Sequence, residues 1–217
     1  AGLAGLNDDW RGFHEFAHLL IPFPGRDDIW FSEGFASYYQ HLLQSRTGIL
    51  APDEAWRRIM AGFRRGLDDP AGRGRTLSEL SPRMRRERAY RRVYWTGAAF
   101  FLRVDTRLRA ATAHRLSLDA ALASYHACCM RRTRGPDAAA LVRELGRTGL
   151  PRIWREEWKR TLEGPAEPRF GNALDLLGIR ADGDGWILDG DAEARRMRAA
   201  IAAPRARDQA RGYFSAE

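Results

Sequence analysis

Two histidines and a glutamate stand at helical spacing in the stretch "HEFAH", residues 14–18 of the 217-residue chain. Four residues along an α-helix advance about 400° and about 6 Å, so His14 and His18 project from one face, one turn apart. Two imidazole nitrogens placed in this way can both reach a metal ion about 2 Å away. Glu15 lies about 100° round the helix from His14, beside that metal position. A carboxylate there can serve as general base towards a water molecule that the metal activates.

The alternative is a polar seam in an ordinary helical protein. The residues around the motif are mostly apolar, however, and polar groups in an apolar face need partners, of which a metal is one. A catalytic zinc ion usually has three protein ligands and one open position. The following segment "WFSEGFASYY", residues 30–39, offers Glu33 as the third ligand, and His41 is a weaker candidate. Otherwise Glu33 is an exposed glutamate that the helix dipole favours near a helix N-terminus.

The order of these motifs resembles that of the gluzincin zinc metallopeptidases, which carry HExxH and then a W-x-x-EGF-type segment. It is similar to the alanyl aminopeptidase family and more closely to the glycyl aminopeptidases of metallopeptidase family sixty-one. The resemblance implies that His14, His18 and Glu33 are zinc ligands and that Glu15 is the base. It covers about residues 7–180.

Those families also have a tyrosine in a Y-x-x-G or Y-x-K-G element about sixty residues after the third ligand. Here "VYWTGAAFFL", residues 93–102, places Tyr94 at that position. The implied role is a hydrogen bond to the oxyanion of the tetrahedral intermediate, which suits a phenol because it is a neutral donor at pH 7. The alternative is a core tyrosine on an aromatic helix, and Tyr90, one turn earlier, is the second candidate for the donor.

The chain departs from the pattern of those families in several places. The spacer between the second and third ligands, residues 19–32, is shorter than in the alanyl aminopeptidases by roughly one helical turn, which predicts a more open cleft. Thr96 replaces the lysine of Y-x-K-G. The glycine-rich motif that helps hold the substrate amine, and the edge of the active-site sheet, lie upstream in those families. We therefore expect mainly the helical lobe here.

The positions of prolines, glycines and capping residues predict a mainly α-helical fold, the helical lobe of a thermolysin-like gluzincin catalytic domain. At most a small β element is expected near the C-terminus, around residues 186–188. Among the expected helices, the first ends at Ile21 and a long one covers about residues 85–111. Residues 1–164 would form the catalytic lobe, and 165–217 a helical and hairpin extension packed on it, with one continuous domain as the alternative.

The formal net charge is +8, and of the 36 basic residues only Lys159 is lysine. The arginines are spread along the chain without a nucleic-acid-binding motif, so we expect no nucleic-acid partner. The arginine-dense stretch 83–92 is interpreted as a solvated face, with attraction of a substrate carboxylate as the alternative. No apolar stretch approaches the roughly 20 residues of a membrane span, so none is expected.

Cys128 and Cys129 are adjacent. Disulfides usually join Cα atoms farther apart than one peptide allows, so we expect two thiols on a helix. Oligomeric state and compartment stay open, since the chain is compatible with export and with the cytoplasm.

Together these patterns predict zinc-dependent hydrolysis of peptide bonds, of an aminopeptidase-like kind, with one zinc ion and a peptide substrate. One alternative is a catalytically silent, metal-stabilised or partner-binding module derived from such an enzyme. Another is a zinc hydrolase that cuts a non-peptide bond. The preferred substrate side chain, and the choice between endopeptidase and exopeptidase action, are not determined by these motifs.

Overall fold

The computed structural model of the protein describes residues 9–130, 135–147, 149–183 and 185–204. The first helices are α1 (Trp10–His18), α2 (Ile29–Arg46), α3 (Pro52–Asp68), α4 (Leu77–Leu80), α5 (Met84–Glu87) and α6 (Tyr90–Ala111), with a 3₁₀ turn at Ser81–Arg83. They are followed by α7 (Leu118–Cys128), α8 (Ala138–Gly146), α9 (Pro151–Leu162), α10 (Ala173–Leu177) and α11 (Ala192–Ala202). Strands β1 (Ile179–Asp182) and β2 (Gly185–Leu188) precede α11 and pair antiparallel, with Ile179 opposite Leu188. The predicted mainly α-helical fold with a small β element near the C-terminus is confirmed.

Helices α2 and α6 form the centre of the core, and both are buried along most of their length. An aromatic cluster fills the space between them, with rings in mostly edge-to-face contact, a geometry that aromatic pairs prefer. Its members are Trp30, Phe31, Phe35, Phe100 and Phe101. The other helices pack around this pair, and α1 lies against α2 at the end that carries Glu33.

The crossing of α2 and α6 requires glycine on both helices. A Cβ atom added to Gly34 would lie 2.4 Å from the Cα of Gly97, and one added to Gly97 would lie 2.3 Å from the carbonyl oxygen of Trp30. No real side chain fits at such distances, so the two backbones touch only because both positions lack a Cβ. The missing side chain of Gly34 thus allows the backbone of α6 to approach α2 closely.

Helix α1 ends three residues earlier than its apolar pattern suggests. The Asp9 side chain caps its start by accepting from the backbone N–H of Arg11, as an N-cap aspartate is expected to do. At its end, the N–H of Leu19 bonds to the carbonyls of Phe16 and Ala17 in a tightened last turn. The predicted end at Ile21 was therefore too late, because a turn precedes the proline.

The predicted long helix over residues 85–111 is two helices, α5 and α6. Arg88 between them has φ 55°, and the N–H of Ala89 bonds to the carbonyl of Met84. This is the bonding pattern of a left-handed helix end, which usually has glycine at the position of Arg88. Because this position holds an arginine, the sequence pattern does not predict the break between α5 and α6.

Residues after position 164 pack against the core that the earlier helices form. The Arg46 Nε donates to the carbonyl of Ile201 at 2.9 Å, and the ring of Phe170 packs against Phe63 with centroids 5.0 Å apart. The division into residues 1–164 and 165–217 stays a prediction. None of the described helices is both long enough and apolar enough to cross a membrane.

Cys128 and Cys129 are joined by a disulfide at the end of α7. The expectation of two thiols on a helix was wrong. Cys129 has left the helical conformation, with φ −132° and ψ −22°, and this bend allows two adjacent cysteines to meet.

Candidate metal centre

Helix α1 presents His14 and His18 to the N-terminal part of α2, where Glu33 lies just after the first turn. The Oε2 atom of Glu33 lies 3.2 Å from Nε2 of His14 and 3.8 Å from Nε2 of His18. The ligand atoms of the three residues all lie within 4.8 Å of one another. Tetrahedral coordination with bonds of about 2.1 Å places neighbouring ligand atoms roughly 3.4 Å apart, so small adjustments would seat one ion.

The donor chemistry fits a catalytic zinc ion. Two imidazole nitrogens and one carboxylate oxygen are a donor set of hydrolytic zinc sites, which keep a further position open. Among the described residues no other histidine, cysteine, aspartate or glutamate joins this group. His14 is buried, and the side chain of Glu33 is 16% exposed, so both are largely shielded from water.

Both histidines have a hydrogen-bond partner on the ring nitrogen that faces away from the ligand cluster. Nδ1 of His14 lies 2.9 Å from Oε1 of Gln40, and Nδ1 of His18 lies 3.0 Å from Oγ of Ser32. An amide oxygen only accepts, so Nδ1 of His14 carries a proton and Nε2, which faces Glu33, is the nitrogen that would bind a metal in place of its hydrogen bond to that carboxylate. Such partners fix ring orientation and tautomer in metal sites.

The hydrogen bonds continue from Gln40 along the buried face of α2. The Gln40 amide nitrogen lies 3.1 Å from Nε2 of His41, and Nδ1 of His41 lies 2.9 Å from Oε1 of Gln44. Burial lowers the pKa of His41 to about 4, so it is neutral at pH 7. His41, the weaker candidate for the third ligand, therefore lies in this hydrogen-bond chain and outside the ligand cluster.

The shifts in pKa of Glu33 and His18 favour the protonation states that bind a cation. Burial alone would raise the pKa of Glu33, but hydrogen bonds from His14 and Tyr94 and the charge of His18 lower it below its usual value. Burial lowers the pKa of His18, against the opposing charge of Glu33. At neutral pH the site thus holds an ionised carboxylate and an unprotonated His18, the forms that bind zinc.

Two further predicted site residues differ in their exposure to solvent. Glu15 is exposed, and Tyr94 is half-buried. Burial is the largest influence on the pKa of either histidine and lowers it, but hydrogen bonds to Glu33 and Gln40 raise the pKa of His14 overall, and the nearby charge of Glu15 acts in the raising direction on both. The Tyr94 ring stacks on that of His14, with centroids 6.1 Å apart and planes 16° from parallel. Burial, and then the charge of Glu33, raise the pKa of Tyr94, so its hydroxyl stays a neutral donor. Tyr90, the second candidate, packs edge-on against Tyr94.

Sequence reasoning missed Gln40 and Ser32, the partners that orient the two histidines. A signal for Gln40 exists in the chain. Polar residues recur at three- and four-residue spacing along one face of α2, a helix that is otherwise buried and apolar. These are Glu33, Ser37, Gln40, His41 and Gln44. A buried polar stripe that starts at a candidate metal ligand is a place to look for residues that would orient the other ligands.

A comparison with protein families gives one match. Residues 24–99 match the model of the M61 glycyl aminopeptidase family. The matched part contains Glu33 and Gly34 of the "EGF" segment and Tyr94 and Gly97 of the Y-x-x-G element, and it begins after the HExxH stretch. No individual curated protein matches the chain. Over residues 24–99 the chain is therefore similar to the M61 glycyl aminopeptidases, which supports a metallopeptidase and peptide hydrolysis.

Proposed function

We propose that the protein is a zinc-dependent peptidase with aminopeptidase-like action. The observation that carries the proposal is the convergence of His14, His18 and Glu33, whose ligand atoms lie within 4.8 Å of one another. The family match adds support for a peptidase and does not favour a catalytically silent module. The aminopeptidase-like character rests on the resemblance alone.

The groups around the cluster suit the hydrolysis of a peptide bond. Zinc bound there would supply a Lewis acid that polarises the substrate carbonyl and makes a water molecule more acidic. Glu15 is exposed beside the two histidines and would take the proton of the attacking water. It would then pass that proton to the leaving amine, which otherwise departs as a poor leaving group.

Tyr94 and the hydrogen bonds behind the histidines have supporting roles in this scheme. The neutral hydroxyl of Tyr94 would donate to the oxyanion of the tetrahedral intermediate, where charge develops. Gln40 and Ser32 would hold the two imidazole rings at the angle that the ion needs. We expect the short spacer, residues 19–32, to leave the cleft more open to solvent, and Phe23 within the spacer is exposed.

The Glu15→Gln variant tests the proposal. It should retain zinc, because Glu15 is outside the ligand cluster, and its kcat should fall by about 10²–10⁴ because the general base is lost. Zinc content and turnover of aminoacyl and internally quenched peptides are measured together. Glu163→Gln, a change at a remote exposed glutamate, is the matched control and should behave as the parent protein.

Turnover by Glu15→Gln at the rate of the parent protein would refute the assigned mechanism. Aminopeptidase-like action requires a free amine at the N-terminus of the substrate, which the same assay can test. Acetylation of the substrate's amine should then abolish turnover of short peptides, and equal turnover of free and acetylated peptides would point to an endopeptidase.

A further inference from the structure

A cavity of about 520 Å³ opens beside the candidate metal centre, among helices α1, α2, α3 and α6. His14 lines it from α1 and Tyr94 from α6, so two residues of the proposed active site belong to its wall. A peptide that places its scissile carbonyl at the metal centre would extend part of its length into this space. Its lining therefore bears on which peptides the protein accepts.

Three arginines line the cavity, and none of the aspartates or glutamates that the structure describes does. Arg58 is held by Glu54 on the same helix, with Nε and Oε1 2.9 Å apart. Arg65 and Arg91 are exposed, and among the described residues no carboxylate pairs with either, in contrast to the buried Arg103 and Arg109, which each have one. The cavity thus contains positive charge that the described residues lining it do not neutralise.

Arg65 is held in place by an aromatic side chain. Its guanidinium lies over the ring of Trp95, 5.6 Å from the centroid, which restrains it without using its hydrogen-bond donors. Burial, and then the positive charge of Arg91, lower the pKa of Arg65. The two guanidinium groups therefore repel each other, and an anion between them would relieve that repulsion.

The rest of the lining suits the carbon chain of an acidic residue. Tyr90, Trp95 and Trp10 supply aromatic surface next to the arginines. Methylene groups pack well on such surface while a carboxylate at their end meets a guanidinium, which binds carboxylates with two parallel hydrogen bonds. A lysine or arginine side chain in the same place would be repelled.

We propose that this cavity is a subsite for a carboxylate of the substrate. Two sources share that chemistry, namely a glutamate or aspartate side chain next to the scissile bond, and the C-terminal carboxylate of a short peptide. The inference rests on the proposed function for the position of the scissile bond, whereas the binding of a carboxylate depends on Arg65 and Arg91 alone.

Matched peptide pairs test the subsite. One pair differs by glutamate or glutamine on either side of the scissile bond, and a second pair differs by a free or amidated C-terminus. We expect kcat/KM to be about tenfold higher for the member with the carboxylate, as for one partly exposed charge-assisted hydrogen-bond pair. The preference should shrink as salt is raised from 0.05 to 0.5 M, because the cavity is open to solvent.

Substitution of Arg65 and Arg91 by glutamine should reduce that ratio to about twofold or less, and Arg91→Gln alone should reduce it partly. Arg91→Gln, at an exposed position, also serves if the double variant does not fold. Arg155→Gln removes one positive charge, as Arg91→Gln does, at an exposed position outside the cavity. It is the control and should keep the full kcat/KM ratio. The pair that shows the preference identifies the source of the carboxylate.

Failure of this inference differs from failure of the proposed function. Equal kcat/KM within both pairs, in a protein that hydrolyses them, would overturn the subsite and leave the peptidase standing. If no peptide is hydrolysed, direct binding of the same fluorescently labelled pairs decides the matter. Tighter binding of the carboxylate member, lost in the double variant, would support the subsite without the peptidase, and equal binding would overturn it.

Discussion

His14 is the most constrained side chain of the candidate site. Its Nδ1 bonds to Gln40, its Nε2 faces Glu33, and Tyr94 stacks on one face of its ring. The rings of Trp10 and His18 contact it edge-on, with centroids 6.0 and 4.9 Å away. A ligand whose orientation is fixed before the metal arrives loses little conformational freedom on binding, and this favours affinity.

Tyr94 gives a prediction at the scale of one atom. Tyr94→Phe removes the hydroxyl and keeps the ring that stacks on His14, so zinc should stay bound while kcat falls by about 10²–10³. Turnover under saturating peptide and zinc content are the two measurements. Tyr90→Phe is the matched control, because Tyr90 contacts the ring of Tyr94, and its kcat should change little. An unchanged kcat in Tyr94→Phe would leave Tyr94 as a packing residue only.

At the scale of elements, the crossing of α2 and α6 explains why the "EGF" segment and the Y-x-x-G element each contain a glycine. Gly34 follows Glu33 on one helix, and Gly97 lies one turn after Tyr94 on the other. Since the backbones touch at these glycines, the carboxylate and the phenol come within hydrogen-bonding reach of each other. The glycines thus act on the site through helix packing.

The Gly97→Ala variant tests this role. The added methyl group would lie 2.3 Å from the carbonyl oxygen of Trp30, so the helices must separate. We expect a loss of about 1–3 kcal/mol in the free energy of unfolding and weaker zinc binding, because Glu33 moves with α2. Urea denaturation and zinc titration measure the two effects.

Gly12→Ala provides the comparison for that variant. Gly12 is an exposed helical glycine on α1, and nothing lies within 4 Å of a Cβ added there. Alanine is the better helix former by about 1 kcal/mol, so this change should leave stability equal or raise it. If Gly97→Ala were as stable as Gly12→Ala and bound zinc equally well, the helix crossing would not determine the site geometry.

Local sequence signals locate the starts of several helices correctly and miss the break between α5 and α6. Caps with a side-chain acceptor, such as Asp9, Ser117 and Asp137, begin α1, α7 and α8, in keeping with the preference of these residue types for the N-cap position. The left-handed residue Arg88 ends α5 without glycine and has no such signal. Backbone conformations that tertiary packing imposes on an ordinary residue are not visible in a sequence pattern.

At the scale of the whole molecule, many arginines turn out to be interior partners of carboxylates. Arg103 pairs with Glu157, and Arg109 pairs with Asp105, and all four side chains are at most 5% exposed. Buried charges of this kind are costly unless paired, so the loss of either partner of such a pair should destabilise the fold. These pairs are neutral in sum, so the net charge of +8 lies on the other residues of the chain, and the paired arginines themselves are not available to bind a partner.

The sequence predicts the metal centre better than the cavity beside it. His14, His18 and Glu33 belong to compact motifs whose spacing follows from helix geometry, and the structure brings them together. The cavity draws its lining from four helices, with Arg58 and Arg65 on α3 and Arg91 on α6. Residues so far apart in the chain share no spacing rule, so only the packing of the helices reveals that they meet.

The central claim is that His14, His18 and Glu33 bind zinc, which would join α1 to α2. The most direct test is the zinc content of the purified protein, measured by mass spectrometry after zinc loading and dialysis. We predict about one zinc ion per chain in the parent protein and in Glu15→Gln, and a strong loss in His18→Ala and Glu33→Ala. A parent protein that retains no zinc, or a Glu33→Ala variant that retains as much as the parent, would contradict the account.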